Sequence, residues 1–514
     1  MENIARLLRE SGLETADPAR LDALKKDATP HIARGDARIY RRSLRIREGI
    51  LYFIAYTGGE KSLFLACPKS FSAPFHGTRV QADGIHLFKA DLSTENAKIL
   101  HDVFPFTAPV SLRDRKTTIG CGDRLGLATP GHIRAIAGYD ASPVLAQQSI
   151  RELTLTKRDY PGVVRDASFL VFQEGFEKGY GADGDHLKTI KDIDTALAAG
   201  MPMITLDLTE VMSPEPAAWS PARIDSEFEK LDPGVIRHVK EAYEGRSFQL
   251  PGCAIAFTQT EARRCALMYG RALDFSREVD RHLKEKRGDR YDLEISIDET
   301  TAPTLPSHHL FIAGELALRG VAVNSLAPRF IGEFQKGIDY IGDVREFESQ
   351  FIVHCSIARA RGNYKISIHS GSDKFSVYPP IGKHSDMRLH LKTAGTSWLE
   401  AVRVIAATNP PLFRRMLAQA YTCFPEASKL YHITADLGAI PQAGSVADSQ
   451  LERFVDERDS RQLLHITYGG LLNDPGIRNE FFGTLAANEE RHYAAVERHM
   501  EKHIRLLGVP VVQT

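Results

Sequence analysis

No run of about 18 apolar residues occurs anywhere in the 514-residue sequence, which excludes a membrane-spanning helix of ordinary length. The first twenty residues form a charged amphipathic stretch without the apolar centre of an export signal, so the expected location is cytoplasmic. Cysteine is scarce: Cys67, Cys121, Cys253, Cys265, Cys355 and Cys423 lie far apart with no CxxC pair. That spacing argues against a disulfide framework and a cysteine-rich zinc site. Charge of one sign is also missing, since 65 Lys plus Arg face 66 Asp plus Glu. Without a basic field or a basic patch interleaved with aromatics, neither nucleic acid nor an anionic membrane is an expected partner. A small polar molecule is, and the chain length leaves room for a homo-oligomer.

What is present is a change of pattern near residue 115. Before it, after one helix, short alternating strands separated by Gly and Pro turns predict a mostly β accessory region over residues 1–114. After it, apolar-alternating segments at 117–126, 167–175, 201–210, 291–300, 320–330, 364–373, 387–395 and 430–438 alternate with helical text. Eight such strands predict a (β/α)8 barrel over residues 115–440, closed by helices over 441–514. An open doubly wound sheet shares this grammar. The count of eight and the polar residues gathered at strand C-termini favour the barrel.

Within these strands polar residues share one face with period two: Glu294, Ser296 and Asp298; Lys365, Ser367 and His369; Arg388, His390 and Lys392; His432, Thr434 and Asp436; Thr205, Asp207 and Thr209. Helices cover the outside of a barrel, so these sets should point at its axis, with a site at the carboxyl end. Antiparallel, half-exposed strands would alternate the same way, and buried charges sometimes only satisfy one another.

Neutral imidazoles and carboxylates are the usual ligands of a catalytic divalent ion. His186 in GADGDHLKT, the pair His308 and His309 behind Ser307, and His369 at a strand end come from three loops of one barrel end. His186, His309 and His369 are therefore the expected metal ligands, with Asp339 as an oxygen ligand; Zn, Mn, Ni and Fe all suit such a set. For acid and base work the candidates are Glu174 and Asp298 at strand ends, with Glu299 a competitor for Asp298. Asp123 and Arg124 in GCGDRLG, Lys374 in SGSDKF, and Lys392 are the expected substrate-binding residues. Lys392 is also a candidate Schiff-base lysine.

Four stretches, GCGDRLGLATPGH, SIDETTAPTLPSHHLFIAGEL, KISIHSGSDKFSVYPPIG and KTAGTSWLEA, together resemble the tagaturonate epimerase family over roughly residues 115–440. The resemblance implies a metal-dependent C4 epimerisation between D-tagaturonate and D-fructuronate and strengthens His186 and His369 as ligands. The C4 proton of a 2-ketose is not acidified by the ketone, so a retro-aldol cut of C3–C4 is the expected route. The alternative, transient oxidation, requires a dinucleotide site, and Gly120, Gly122 and Gly126 have the wrong spacing for one. Three other readings stay open: an epimerase of neutral ketohexoses such as tagatose and fructose, a metal-dependent sugar aldolase, and a non-catalytic sugar-binding barrel.

Overall fold

The computed structural model describes all residues except 15, 16, 28, 299, 301, 370–372, 394, 513 and 514; Glu299 and part of the SGSDKF motif thus lie outside the described residues. Eight parallel strands close into a barrel: Thr117–Gly120, Ser142–Ser149, Gly181–Leu187, Met203–Asp207, Asp292–Ile297, Val323–Pro328, Lys365–His369 and Leu389–Lys392. Each pairs with its neighbour in chain order, and Leu389–Lys392 closes the ring on Thr117–Gly120. Six of these strands lie within expected segments. Two expected strands are corrected by the structure.

Residues 167–175 belong instead to the helix Tyr160–Glu174, which starts at the Asp159 cap and ends at Gly175 in the left-handed conformation. From Ala167 to Phe172 this helix is buried on every side. It packs Val163, Val164, Ala167 and Val171 into the barrel core and turns Phe169 and Phe172 to the N-terminal sheet. A short run buried on both sides has no period that separates strand from helix. Residues 430–438 form 3-10 turns and extended loop over the barrel mouth, with His432 exposed.

The true second and third strands were hidden for local reasons. Ser142–Ser149 has a proline near its start and two glutamines. Gly181–Leu187, GADGDHL, has the composition of a turn, but a Cβ on Gly184 would meet the Ala196 Cβ at 2.8 Å. The helix Ile190–Ala198 lies too close for any side chain there.

The N-terminal region is a seven-stranded antiparallel sheet between residues 31 and 90. Its strand Ile50–Thr57 sends Ile50, Tyr52 and Ile54 toward the barrel helix and Leu51, Phe53 and Ala55 toward the helix Glu2–Glu10. Both faces are covered, which explains the near-continuous apolar run. Glu489, on the C-terminal helix Glu489–Leu507, joins this sheet to the barrel. It accepts from Tyr40 Oη at 2.6 Å and Tyr493 Oη at 2.5 Å and pairs with Lys61. Burial opposes its charge, yet Lys61 and the two phenols hold its carboxyl down to about 2. An unfolded glutamate takes its proton nearer 4.5, so the contact stabilises the fold above that pH and is lost as pH falls toward 2. Protection of the sheet amides, taken relative to the intrinsic exchange rate at each pH, is expected to fall across that window in the native chain, and Glu489→Gln to remove this fall.

No helix among the described residues is long and apolar enough to cross a membrane. All six cysteines are free.

Candidate active site

The carboxyl ends of the barrel strands open into a cleft of about 320 Å³ that leads to a smaller cavity of about 80 Å³. His369, Arg151, Lys336 and Tyr431 line both.

The deepest feature is an ion cage. Lys392 Nζ lies 2.6 Å from Asp185 Oδ1, 3.0 Å from Asp183 Oδ2 and 3.0 Å from Glu294 Oε1, and donates to Thr205 Oγ1 at 2.5 Å. All of these side chains are buried. Burial works against the ammonium, but three carboxylates raise its pKa well above the usual lysine value. A lysine held charged in this way is a poor nucleophile, so the Schiff-base alternative for Lys392 is set aside.

Above the cage three donors meet. Glu294 Oε1 accepts from His369 Nε2 at 2.7 Å, which orients the ring so that Nδ1 stands 3.1 Å from Asp298 Oδ2. Ser296 Oγ donates to the other Asp298 oxygen. His186 stands edge-on to His369, with ring centroids 5.0 Å apart. Its backbone has φ of 55°, where the third strand's register slips between Gly184 and Leu187. A bulge with a strained residue is a device for re-aiming a side chain. Here it turns His186 toward the axis beside Asp185, where strict alternation would send it outward.

One donor atom from each of His186, Asp298 and His369 lies within 4.8 Å of the other two. His186 Nδ1, His369 Nδ1 and Asp207 Oδ2 are buried without a hydrogen bond. Burial works against the His369 imidazolium, but Asp298 and Glu294 outweigh it and push the ring up to about 10. Asp298 is lowered in turn; burial opposes its charge and His369 and His186 overcome it. The field that holds a proton here would equally hold a cation in its place.

Of the other expected site residues, Arg124 reaches the small cavity and the rest lie elsewhere. Glu174 ends a helix, not a strand, and is bound by Arg42 at 3.0 Å and Arg134 at 3.1 Å at the junction with the N-terminal sheet. His309 is inside the helix Pro306–Leu318, where its nitrogens meet His354 Nδ1 at 2.8 Å and Tyr364 Oη at 2.7 Å. His308 faces Tyr269 and Glu261. Asp339 accepts from Ser376 N and Oγ on a separate cleft. Asp123 accepts three backbone N–H groups, from Leu125, Gly126 and Ala128, and so shapes its own loop. Arg124 lines the small cavity, but Glu152 at 2.8 Å and the Tyr468 ring, 3.7 Å below it, hold its guanidinium. Lys374 is buried and donates to the carbonyls of Gln335 and Ile338; burial brings its pKa down to about 7. It braces the loop carrying Lys336.

Several wall residues carry no signal that a linear pattern reveals. Asp183 and Asp185 do show period two, visible once GADGDHL is taken as a strand. Gln147, Arg151, Glu152 and Lys336 show none. The C-terminal helices, expected only to pack, also reach the site, with Arg124 donating to the His465 carbonyl and Gln462 to Gln335 Oε1.

The sequence pattern of the tagaturonate epimerase family matches residues 40–507. The chain belongs to that family. As a family member it is an isomerase of the epimerase class. It is 38% identical over 479 residues to the tagaturonate/fructuronate epimerase of Thermotoga maritima, covering 93% of this chain and 98% of that protein. Native fructuronate-tagaturonate epimerase from Cohnella laeviribosi superimposes with a TM-score of 0.87 at 45% identity, covering 92% of this chain and 97% of that one. The same enzyme complexed with two glycerols gives 0.88 at 44%, with the same coverage.

Proposed function

We propose that this epimerase interconverts D-tagaturonate and D-fructuronate at C4 by retro-aldol chemistry, with a divalent cation held by His186, Asp298 and His369. The observation that carries the reading is the convergence of those three donors at the barrel mouth, with two imidazole nitrogens buried and unbonded. A cation there supplies Lewis-acid stabilisation of negative charge on neighbouring substrate oxygens. Asp298 is thus reassigned from acid–base work to ligation.

The protein's own groups divide the remaining tasks. Asp185 and Glu152 line the small cavity from different elements, and Glu152 Oε2 is buried without a hydrogen bond. One takes the C4 hydroxyl proton as the C3–C4 bond breaks and its electron pair moves into the C2–C3 enediolate. After the aldehyde fragment turns its other face, the bond re-forms and the proton held by the first carboxylate is passed back through the second to the new C4 oxygen, which leaves both groups ionised as they began. Lys392 anchors Asp185 against the cavity floor. Arg151 and Lys336, at the rim shared by cleft and cavity, receive the substrate carboxylate in place of Arg124 and Lys374.

Proton NMR of metal-loaded protein with D-tagaturonate, with and without chelator, is expected to show chelator-sensitive formation of D-fructuronate. Substrate deuterated at C4 should react without a primary isotope effect, because the C4–H bond stays intact. A primary effect would instead indicate transient oxidation. Replacing Arg151 or Lys336 by alanine is expected to raise KM for the uronate about tenfold, roughly the 1.4 kcal/mol of one charge-assisted contact, with little change in kcat. Turnover of neutral tagatose should be indifferent to either change, and equal losses on both substrates would remove the carboxylate role.

A further inference from the structure

A second cluster of donors lies on the far side of the loop 335–341. His499 and His503 are four residues apart on the helix Glu489–Leu507 and so share one face. Both turn Nε2 toward a single oxygen of Asp373, in the segment that follows the seventh barrel strand. The distances to Asp373 Oδ1 are 2.8 Å for His499 and 3.2 Å for His503. Arg461 takes the other Asp373 oxygen, leaving Oδ1 to the two imidazoles.

Tautomers decide what this arrangement is. His503 Nδ1 lies 2.8 Å from the His499 carbonyl oxygen, which only accepts, so the proton of the neutral ring must sit on Nδ1. Nε2 then presents a bare lone pair to a carboxylate oxygen. It is fully buried and makes no hydrogen bond. With the ring neutral, two acceptors face each other, and a metal cation between them makes the contact favourable. His499 stands between two carboxylates: its Nε2 is at hydrogen-bond distance from Asp373 Oδ1, and Glu400 Oε1, buried without a hydrogen bond, is 3.4 Å from its Nδ1. A carbonyl or carboxylate behind each ring is how metal-binding histidines are oriented.

We propose that Asp373, His499 and His503 form a second divalent-cation site, suited to a borderline transition ion such as Zn²⁺ or Co²⁺, separate from the barrel mouth. Two imidazoles and one carboxylate are a three-ligand set that leaves a position for water. Asp373 and His499 line a cleft of about 470 Å³, which gives the ion an entry path. The ion would clamp the C-terminal helix to the segment leaving the barrel. Through Arg461, which also donates to the Gly337 carbonyl at 2.7 Å, it would steady the loop that carries Lys336 to the substrate.

The test is a Co²⁺ titration of full-length, chelator-stripped protein, read by visible absorption and by bound metal per chain. Native protein should bind two ions, and His186→Gln, His499→Gln and His503→Gln one each. His499 stands at the cleft wall, so its variant carries the test if the fully buried His503 does not tolerate change. Co²⁺ should raise the unfolding temperature of His186→Gln and leave that of His186→Gln/His499→Gln unmoved. An ion kept by His186→Gln and lost from the double variant supports the site whatever becomes of the barrel-mouth reading. If His186→Gln binds nothing, or His499→Gln leaves the count unchanged in a folded protein, the proposal is overturned and the cluster is an ion pair.

Discussion

Replacing His369 by glutamine is expected to lower kcat/KM at least about a thousandfold in a protein that still folds, with a lower unfolding temperature because Glu294 and Asp298 lose a buried counter-charge. His369 bridges Glu294 and Asp298 across the barrel mouth and brings one of three converging donors. A thousandfold loss corresponds to about 4 kcal/mol of transition-state stabilisation. Losing one ligand of a three-donor set while unseating Asp298 should reach that size, since loss of a mere orienting neighbour already costs roughly 10–100-fold in comparable sites. Bound metal per chain should fall by one. Activity within tenfold of the native enzyme at saturating metal would place the chemistry elsewhere in the cleft.

The second large effect concerns stability. Lys392→Met takes the ammonium out from between Asp183, Asp185 and Glu294 and leaves His369, bound to Glu294 alone among them, to face the three carboxylates. The methionine fills most of the lysine's volume, so the loss is almost purely electrostatic. Removing one partner of a buried ion cluster costs about 3–5 kcal/mol, because the remaining charges stay desolvated and unpaired. Denaturant unfolding should register that cost, and epimerase activity should disappear with the anchor of Asp185. A cost below about 1 kcal/mol would mean that the carboxylates find another counter-charge. Lys392→Arg tests shape rather than charge: Thr205 and three carboxylates are spaced for a compact ammonium, and the planar guanidinium should be accommodated poorly.

Both experiments act on residues that alternation along the chain singles out by itself. His369 and Lys392 end strands whose apolar and polar residues separate with period two. A barrel that buries both faces of every strand gathers charge at the carboxyl end of its axis where a site lies there, while charges such as Asp292 and Lys365 only tie down the loop at Leu112. Six of the eight parallel strands, a carboxyl-end site rich in ionisable groups, and Asp298, His369 and Lys392 within it follow from this local periodicity together with the β-then-α grammar, whereas His186 is singled out only as a histidine in a Gly-rich stretch and reaches the axis through a bulge.

What alternation could not decide was which segments are strands when their burial is uniform or their composition misleading. Residues 167–172 are buried on every side because their helix lies between two layers. The strand Gly181–Leu187 is glycine-rich because a helix crosses close to it. Glu174 and His309 are chemically suitable side chains whose elements carry them to Arg134 and to Tyr364. Only the tertiary structure joins Asp185, Glu152, Arg151 and Lys336 around one cavity, and only it brings Asp373 to His499 and His503. Chain pattern records how each residue meets its own element, whereas a site is assembled from contacts between elements far apart in sequence, whose register, bulges and helix packing no local period encodes.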